Sequence, residues 1–305
     1  MSKVGIVSGN YSNVDQKIRK AVEFVGPLNI LDYDKVVIKI NMCDARTPET
    51  GAITHPLFLN GVLKYLREDF GNLNIYVVES DSTVVLADYF VNWFGFKKII
   101  DKWGAKWINL SKQSTIKKKI NGRFFKEITI PEIFENSYFI TLAKLKTNML
   151  TKITCCLKNQ FGCLPIIEKS IYHTNIDDVI ADVNLAITPN FCIVDGVIAM
   201  GGAKGPAYGI PIPAGIIICG KDPVAVDTVC SKIIGFNPFF IGHIRKAASL
   251  GVGTMSYTLK KEKNVNVKIN FEVDKLEMRL FRMASSLQRK ATQQLRRAWK
   301  KKLEV

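Results

Sequence analysis

No CxxC pair, no HxH or HExxH cluster, no P-loop and no GxGxxG glycine pattern occurs in the 305 residues of this chain. Without the CxxCxxCxxxCP spacing, no iron–sulfur cluster is expected within it. With only three histidines, a zinc site has no motif to stand on. The absent glycine patterns remove the usual nucleotide-binding signatures. No apolar run approaches the ~18 residues of a membrane-spanning helix. The longest candidates, around 214–220, are strand-sized. The opening MSKVGIVSGN has no basic region followed by a long apolar stretch, so a secretory signal is not expected and a cytoplasmic protein is. Seven cysteines is an odd count, and Cys192 and Cys219 lie inside apolar runs. Reduced, buried thiols fit that distribution better than a disulfide framework.

What the chain does have is hydrophobic bulk and positive charge. Hydrophobic residues make up 47%, enough for a sizeable core at this length, in one large domain or two intimate lobes. The net charge of +16 is uneven: residues 275–305 hold ten Lys/Arg and two Glu, a net +8. Leu276, Leu280, Ala284, Leu287, Ala291, Leu295 and Trp299 recur there at helical spacing, with Arg279, Arg282, Arg289, Arg296, Arg297 and the lysines at 300–302 between them. This predicts a basic amphipathic helix. It would dock on its own domain, on an anionic membrane surface or on a partner protein. No base-reading motif accompanies it, and nucleic acid is not an expected partner. The expected organisation is an α/β domain over 1–274 and a helical tail over 275–305.

Along the domain, apolar β-branched runs alternate with helical periods. Strands are predicted at 4–7, 36–40, 73–78, 138–143, 191–194 and 215–219. Helices are predicted at 15–24, 57–70, 175–187 and 224–234, and at 87–103 with breaks at Gly95 and Gly104. Asn121-Gly122 predicts a hairpin with a tight primed turn over 117–129. Apolar strands separated by helices predict a mostly parallel, helix-covered sheet with a hairpin insertion.

The polar residues cluster where the apolar runs end, and ligands of open α/β sheets bind outside the carboxyl ends of strands. One run carries Lys39 into Asn41; the others end at Glu79, at Lys144 and Lys146, at Asp195 and at Asp222. A single charge at a strand end is usually just solvated, but five successive cases predict one polar crevice. Lys144, Lys146, Lys158 and Asn159 suit a phosphate or carboxylate, or form a solvent-facing basic loop. Thr54-His55-Pro56 opens a helix whose free N–H groups form an anion site, although capping alone explains these residues. The loop Gly201-Gly202-Ala203-Lys204-Gly205-Pro206 lets backbone approach a ligand, or is a surface loop. Lys169 and His173 share a helix face if helical; His173 is a proton-transfer candidate or a structural residue. Asp195, Asp222, Asp227 and Glu79 are hard oxygen ligands that suit Mg²⁺. Asp222-Pro223 also reads as a helix cap.

In order, VVIKIN (36–41), ITHP (53–56), KLKT (144–147), TCCLKNQFG (154–162), KSIYH (169–173), IVDGVIAMGG (193–202), KGPAYG (204–209), GKDPVAVD (220–227) and GVG (251–253) resemble the bacterial and archaeal family called domain of unknown function 362. The resemblance implies an α/β fold without an established reaction. It carries over Lys39, Asn41, Lys144, Lys146, Lys158, Asn159, Gly162, His173, Asp195, Gly205, Asp222 and Asp227 as family-typical positions. Many members carry an appended ferredoxin-type module, which is not expected here, and Asn148 stands where the family commonly has histidine.

Two functions compete. In the first, an enzyme holds a small anionic substrate through Lys39, Asn41, Lys144, Lys146, Lys158, Asn159 and Gly205. Asp195, with Glu79 or Asp222, then binds Mg²⁺ or acts as acid/base, and His173 transfers protons. In the second, a non-catalytic ligand-binding or redox-accessory protein docks on a partner through its basic tail.

Overall fold

The computed structural model describes residues 1–205 and 208–303, with side chains of the final helix described through Gln288 and at Ala291. The described elements, in chain order, are β1 (Ser2–Ser8), α1 (Val14–Val25), β2 (Lys35–Lys39), α2 (Pro56–Phe70), β3 (Ile75–Glu79), α3 (Ala87–Trp93), α4 (Phe96–Lys102), β4 (Lys106–Asn109), β5 (Thr115–Lys119), β6 (Glu127–Pro131), β7 (Ser137–Asn148), β8 (Lys152–Thr154), α5 (Cys156–Asn159), α6 (Ile176–Ala186), β9 (Phe191–Gly201), β10 (Ile210–Ile212), β11 (Ile216–Gly220), α7 (Pro223–Ile234), α8 (Gly242–Ser249), β12 (Tyr257–Lys261) and α9 (Lys275–Leu303). Gly95, at φ 79°, separates α3 from α4, because a left-handed residue ends one helix before the next begins.

The main sheet runs β12-β1-β11-β9-β7-β2-β3-β4, with β8 and β10 as short additions to β7 and β9. Successive side chains of a strand point to opposite faces. Val36 and Ile38 therefore join a core with α1, α2, α3 and α4, while Val37 joins the core under α6, α7 and α8. Helices cover both faces, and this explains why the strands read as unbroken apolar runs. The sheet is the mostly parallel, helix-covered one the alternation predicts.

Three expectations change. First, β11 pairs antiparallel with both β9 and β1. Parallel neighbours need a helical crossover, and none separates β9 from β11; the chain returns through β10 instead. The end of β11 therefore points to the opposite edge of the sheet. Second, β7 continues through Asn148 with all twelve residues buried, and β9 continues to Gly201. Lys144, Lys146 and Asp195 thus lie within strands. Third, β5 and β6 do form the hairpin, with Lys117 opposite Thr129, but residues 120–126 make a wider loop than a two-residue turn. That loop wraps the Asp182 carboxylate of α6, which accepts the amides of Arg123, Phe124 and Phe125 at 2.7 Å each. A buried acceptor of three amides is costly to remove. Asp182→Ala is expected to lower stability by about 3 kcal/mol in urea unfolding, with Asp182→Asn intermediate.

Candidate functional site

At the carboxyl ends of β2 and β3, Lys39 and Glu79 form an ion pair at 2.5 Å with both side chains almost fully buried. Glu79 also accepts the amides of Met42 and Ser80, each at 2.9 Å. Asn41 follows Lys39 and bonds Asn159 at 3.0 Å. Asn159 in turn donates to the Lys39 carbonyl and to Thr141. Beneath them Lys146 reaches across from β7. It donates to Asn41 Oδ1 at 2.7 Å, to the Ala52 carbonyl at 2.5 Å and to Cys43 Sγ at 3.1 Å. The result is an interlocked polar floor whose hydrogen-bonding groups are mostly committed to one another.

Above this floor opens a cavity of about 470 Å³, within the size range of small-molecule sites. Lys39, Asn41, Cys43, Glu79, Lys158, Asn159, Lys169 and His173 line it, together with apolar Met42, Met149, Leu150, Phe161 and Ile167. Lys39, Lys158 and Lys169 outnumber the one carboxylate, Glu79, in that lining. Lys169 spends its ammonium on the carbonyls of Asp81 and Ile166, and burial pushes its pKa down to about 8. Lys158 differs. Among the described residues it has no ion-pair or hydrogen-bond partner, and its aromatic contact is the Phe161 ring at 5.8 Å. Burial pushes its pKa down to about 8 as well, the nearby Lys146 ammonium acting in the same direction. Thr154 adds a buried hydroxyl with no partner among the described residues, in the same lining.

Lys158 is aimed by a neighbour that the sequence does not mark for this role. Asp227 on α7 accepts the amides of Cys156 at 2.7 Å and Leu157 at 3.1 Å, the first turn of α5. Its own pKa rises to about 6 through burial, with those amides opposing. Asp227→Ala is expected to cost about 2–3 kcal/mol and to loosen Lys158 and Asn159 together. Hydrogen exchange at 156–159 rising well above that of α6 would show it.

The Lys144–Asp195 pair is a separate arrangement. Both residues are completely buried, 2.7 Å apart, on adjacent parallel strands in register. Asp195 also accepts the amides of His55 and Val197 and the Tyr11 hydroxyl. Four donors occupy the lone-pair positions a carboxylate offers. Burial holds the Lys144 ammonium below the usual lysine range, with Asp195 opposing. Burial first, and then Asp195, raise the Tyr11 hydroxyl far above its ordinary value. The His55 ring stacks on Tyr11 at 3.9 Å and its Nδ1 accepts the Leu57 amide, capping α2. Burial keeps that imidazole below its ordinary pKa.

Of the residues singled out by sequence, Lys39, Asn41, Glu79, Lys158, Asn159 and His173 meet in the cavity, and Lys146 sits directly under it. Lys144 and Asp195 do not reach its lining. Gly205 presses on β7, where a Cβ would lie 2.5 Å from the Thr147 carbonyl; Pro206 beyond it lies outside the described residues. Asp222 lies at the opposite edge, capping α7 through Val224 and Ala225 and accepting Ser2 and Thr254. Asp195, Asp222 and Asp227 therefore do not converge on one cation. Among the described residues no group of three or more His, Cys, Asp or Glu side chains is placed to hold a metal ion. Asn148 accepts the amides of Leu150 and Thr151 and the Thr151 hydroxyl, so here it shapes the turn into β8. The residues that sequence reasoning misses are Cys43, Thr154 and Tyr11. Only Cys43 carries a signal, lying two positions beyond Asn41 at a strand end.

The family model described as Domain of unknown function (DUF362) matches residues 36–232, which include nearly all of the cavity lining. The thylakoid-associated protein sll1697 of Synechocystis sp. is 29% identical over 128 residues, covering 40% of this chain and 40% of that protein. The lactate racemase apoprotein of Thermoanaerobacterium thermosaccharolyticum aligns with 75% of this chain and 56% of its own at a TM-score of 0.43 and 10% identity.

Proposed function

Since the chain belongs to the domain of unknown function family DUF362, whose name carries no reaction, we propose from the site alone that it binds a small anionic ligand in the cavity above Lys39, Asn41 and Asn159. The observation that carries this reading is the Lys158 side chain, half-buried in the cavity lining with no anionic partner among the described residues. A half-buried cation lining a cavity gains from a charge-assisted hydrogen bond to a bound anion. The Thr154 hydroxyl, without a partner among the described residues, supplies a further polar contact. The apolar wall of Met42, Met149 and Phe161 would favour a ligand with an apolar body behind its charged group. His173 at the cavity wall is the group that would exchange a proton with such a ligand.

Native mass spectrometry of freshly purified protein, followed by calorimetric titration with inorganic phosphate and phenyl phosphate, tests this. Both anions are expected to bind, phenyl phosphate more tightly. Absence of any co-purifying anion together with no heat from either probe would sink the reading.

A further inference from the structure

The final helix turns an apolar stripe away from its own domain. Met278 is 3% exposed and packs into the core under α9. On the other side of the helix Leu276, Leu280, Met283 and Leu287 are 66%, 57%, 55% and 67% exposed. At about 100° per residue these four fall within a stripe roughly 60° wide, centred nearly opposite Met278. Four aliphatic side chains in one exposed row are unfavourable in water and mark a surface meant to be covered. Phe240, 72% exposed, shares a groove beside the helix with Lys275, Arg279 and Met283.

Charge and periodicity choose the occupant. A partner helix would require a seven-residue seam. The spacing 276, 280, 283, 287 begins one, but its continuation at 290, 294 and 297 is Lys, Gln and Arg. Beyond Leu287 the apolar positions of the sequence are Ala291, Leu295 and Trp299, four apart, so at about 100° per residue they wind about 40° per step around the helix and leave any such seam. The same segment holds ten Lys/Arg against two Glu. An exposed apolar stripe on a strongly basic helix matches the interface of an anionic bilayer, where basic residues near the surface are attracted to the anionic headgroups.

We propose that α9 docks this protein on an anionic membrane surface, burying Leu276, Leu280, Met283 and Leu287 at the headgroup boundary. Ser285, on the domain side of the same helix and opposite the stripe, lines the ligand cavity. The proposal stands whatever the cavity binds.

Co-sedimentation of the full chain with vesicles is the test, comparing phosphatidylcholine alone with equimolar phosphatidylcholine and phosphatidylglycerol. Partitioning is expected to be roughly tenfold or more stronger on the anionic vesicles and to weaken in high salt. The double variant Leu280→Glu/Leu287→Glu changes two exposed positions outside the core. Its binding to anionic vesicles is expected to fall to the level of neutral ones, with the unfolding midpoint unchanged. Equal binding of wild type and variant, or equal binding to both vesicle types, overturns the proposal. So does a wild-type dimer that the double variant splits, since a second copy would then be what covers the stripe.

Discussion

Lys158→Met is expected to weaken binding of phenyl phosphate by roughly 10–100-fold, since a hydrogen bond to a charged group contributes about 1.5–3 kcal/mol. Methionine keeps the length and apolar stem of the side chain, so the change isolates the charge. The loss should carry a pH signature. Lys158 titrates at about 8, and only its protonated form attracts an anion. Wild-type affinity should therefore hold near pH 7 and fall as pH rises through 8 to 9, with binding accompanied by proton uptake. The variant should be flat over that window. Without ligand the sign reverses. The folded-state pKa lies below that of the unfolded chain, so unfolding takes up a proton. Apo stability should accordingly rise as pH climbs from about 8 toward the ordinary lysine range. Titration by calorimetry between pH 7 and 9 decides the matter. An unchanged Kd for Lys158→Met would remove Lys158 from the site.

Removing Asp195 should produce the largest stability loss. Asp195→Ala leaves the Lys144 ammonium buried at 0% exposure without its counter-charge. It also strips the acceptor from the amides of His55 and Val197 and from Tyr11. Breaking a buried pair in this way costs about 3–5 kcal/mol. Part of the loss should be recoverable at high pH. Burial already lowers the Lys144 pKa, and without the carboxylate the folded state favours the neutral amine still more, so folding releases a proton and stability rises with pH. The double variant Lys144→Met/Asp195→Leu should recover part of the loss, because no unpaired charge remains although the three donors stay unmet. Guanidinium unfolding of wild type and the two variants measures this. A cost below about 1 kcal/mol for Asp195→Ala would mean that water reaches the pair.

These two residue sets look alike in sequence and differ in structure. Lys39 and Glu79 close apolar runs, and the parallel pairing of β2 with β3 brings them together as the pattern predicts. Lys144 and Lys146 also follow an apolar run, yet β7 carries both into the sheet. A lysine inside a strand resembles a loop lysine until its partners are known. Those partners, Asp195 for one and Asn41 with the Ala52 carbonyl for the other, lie about 50 and 100 positions away. Asp222 illustrates strand direction. Its run is as apolar as the others, and only the return through β10 sends it to the far edge. The family resemblance marks Asp227 and Gly205 without distinguishing a ligand contact from a brace; the structure shows one bracing α5 and the other packed on Thr147.

The sequence alone settled the helix-covered, mostly parallel sheet, the hairpin, the amphipathic tail and the family, because periodicity and ordered motifs are local properties of the chain. Tertiary structure decided which charges face a cavity and which neutralise one another in the core, and which side of the last helix is left open. Those outcomes depend on strand direction and on distances between residues far apart in the chain, and no local pattern encodes either.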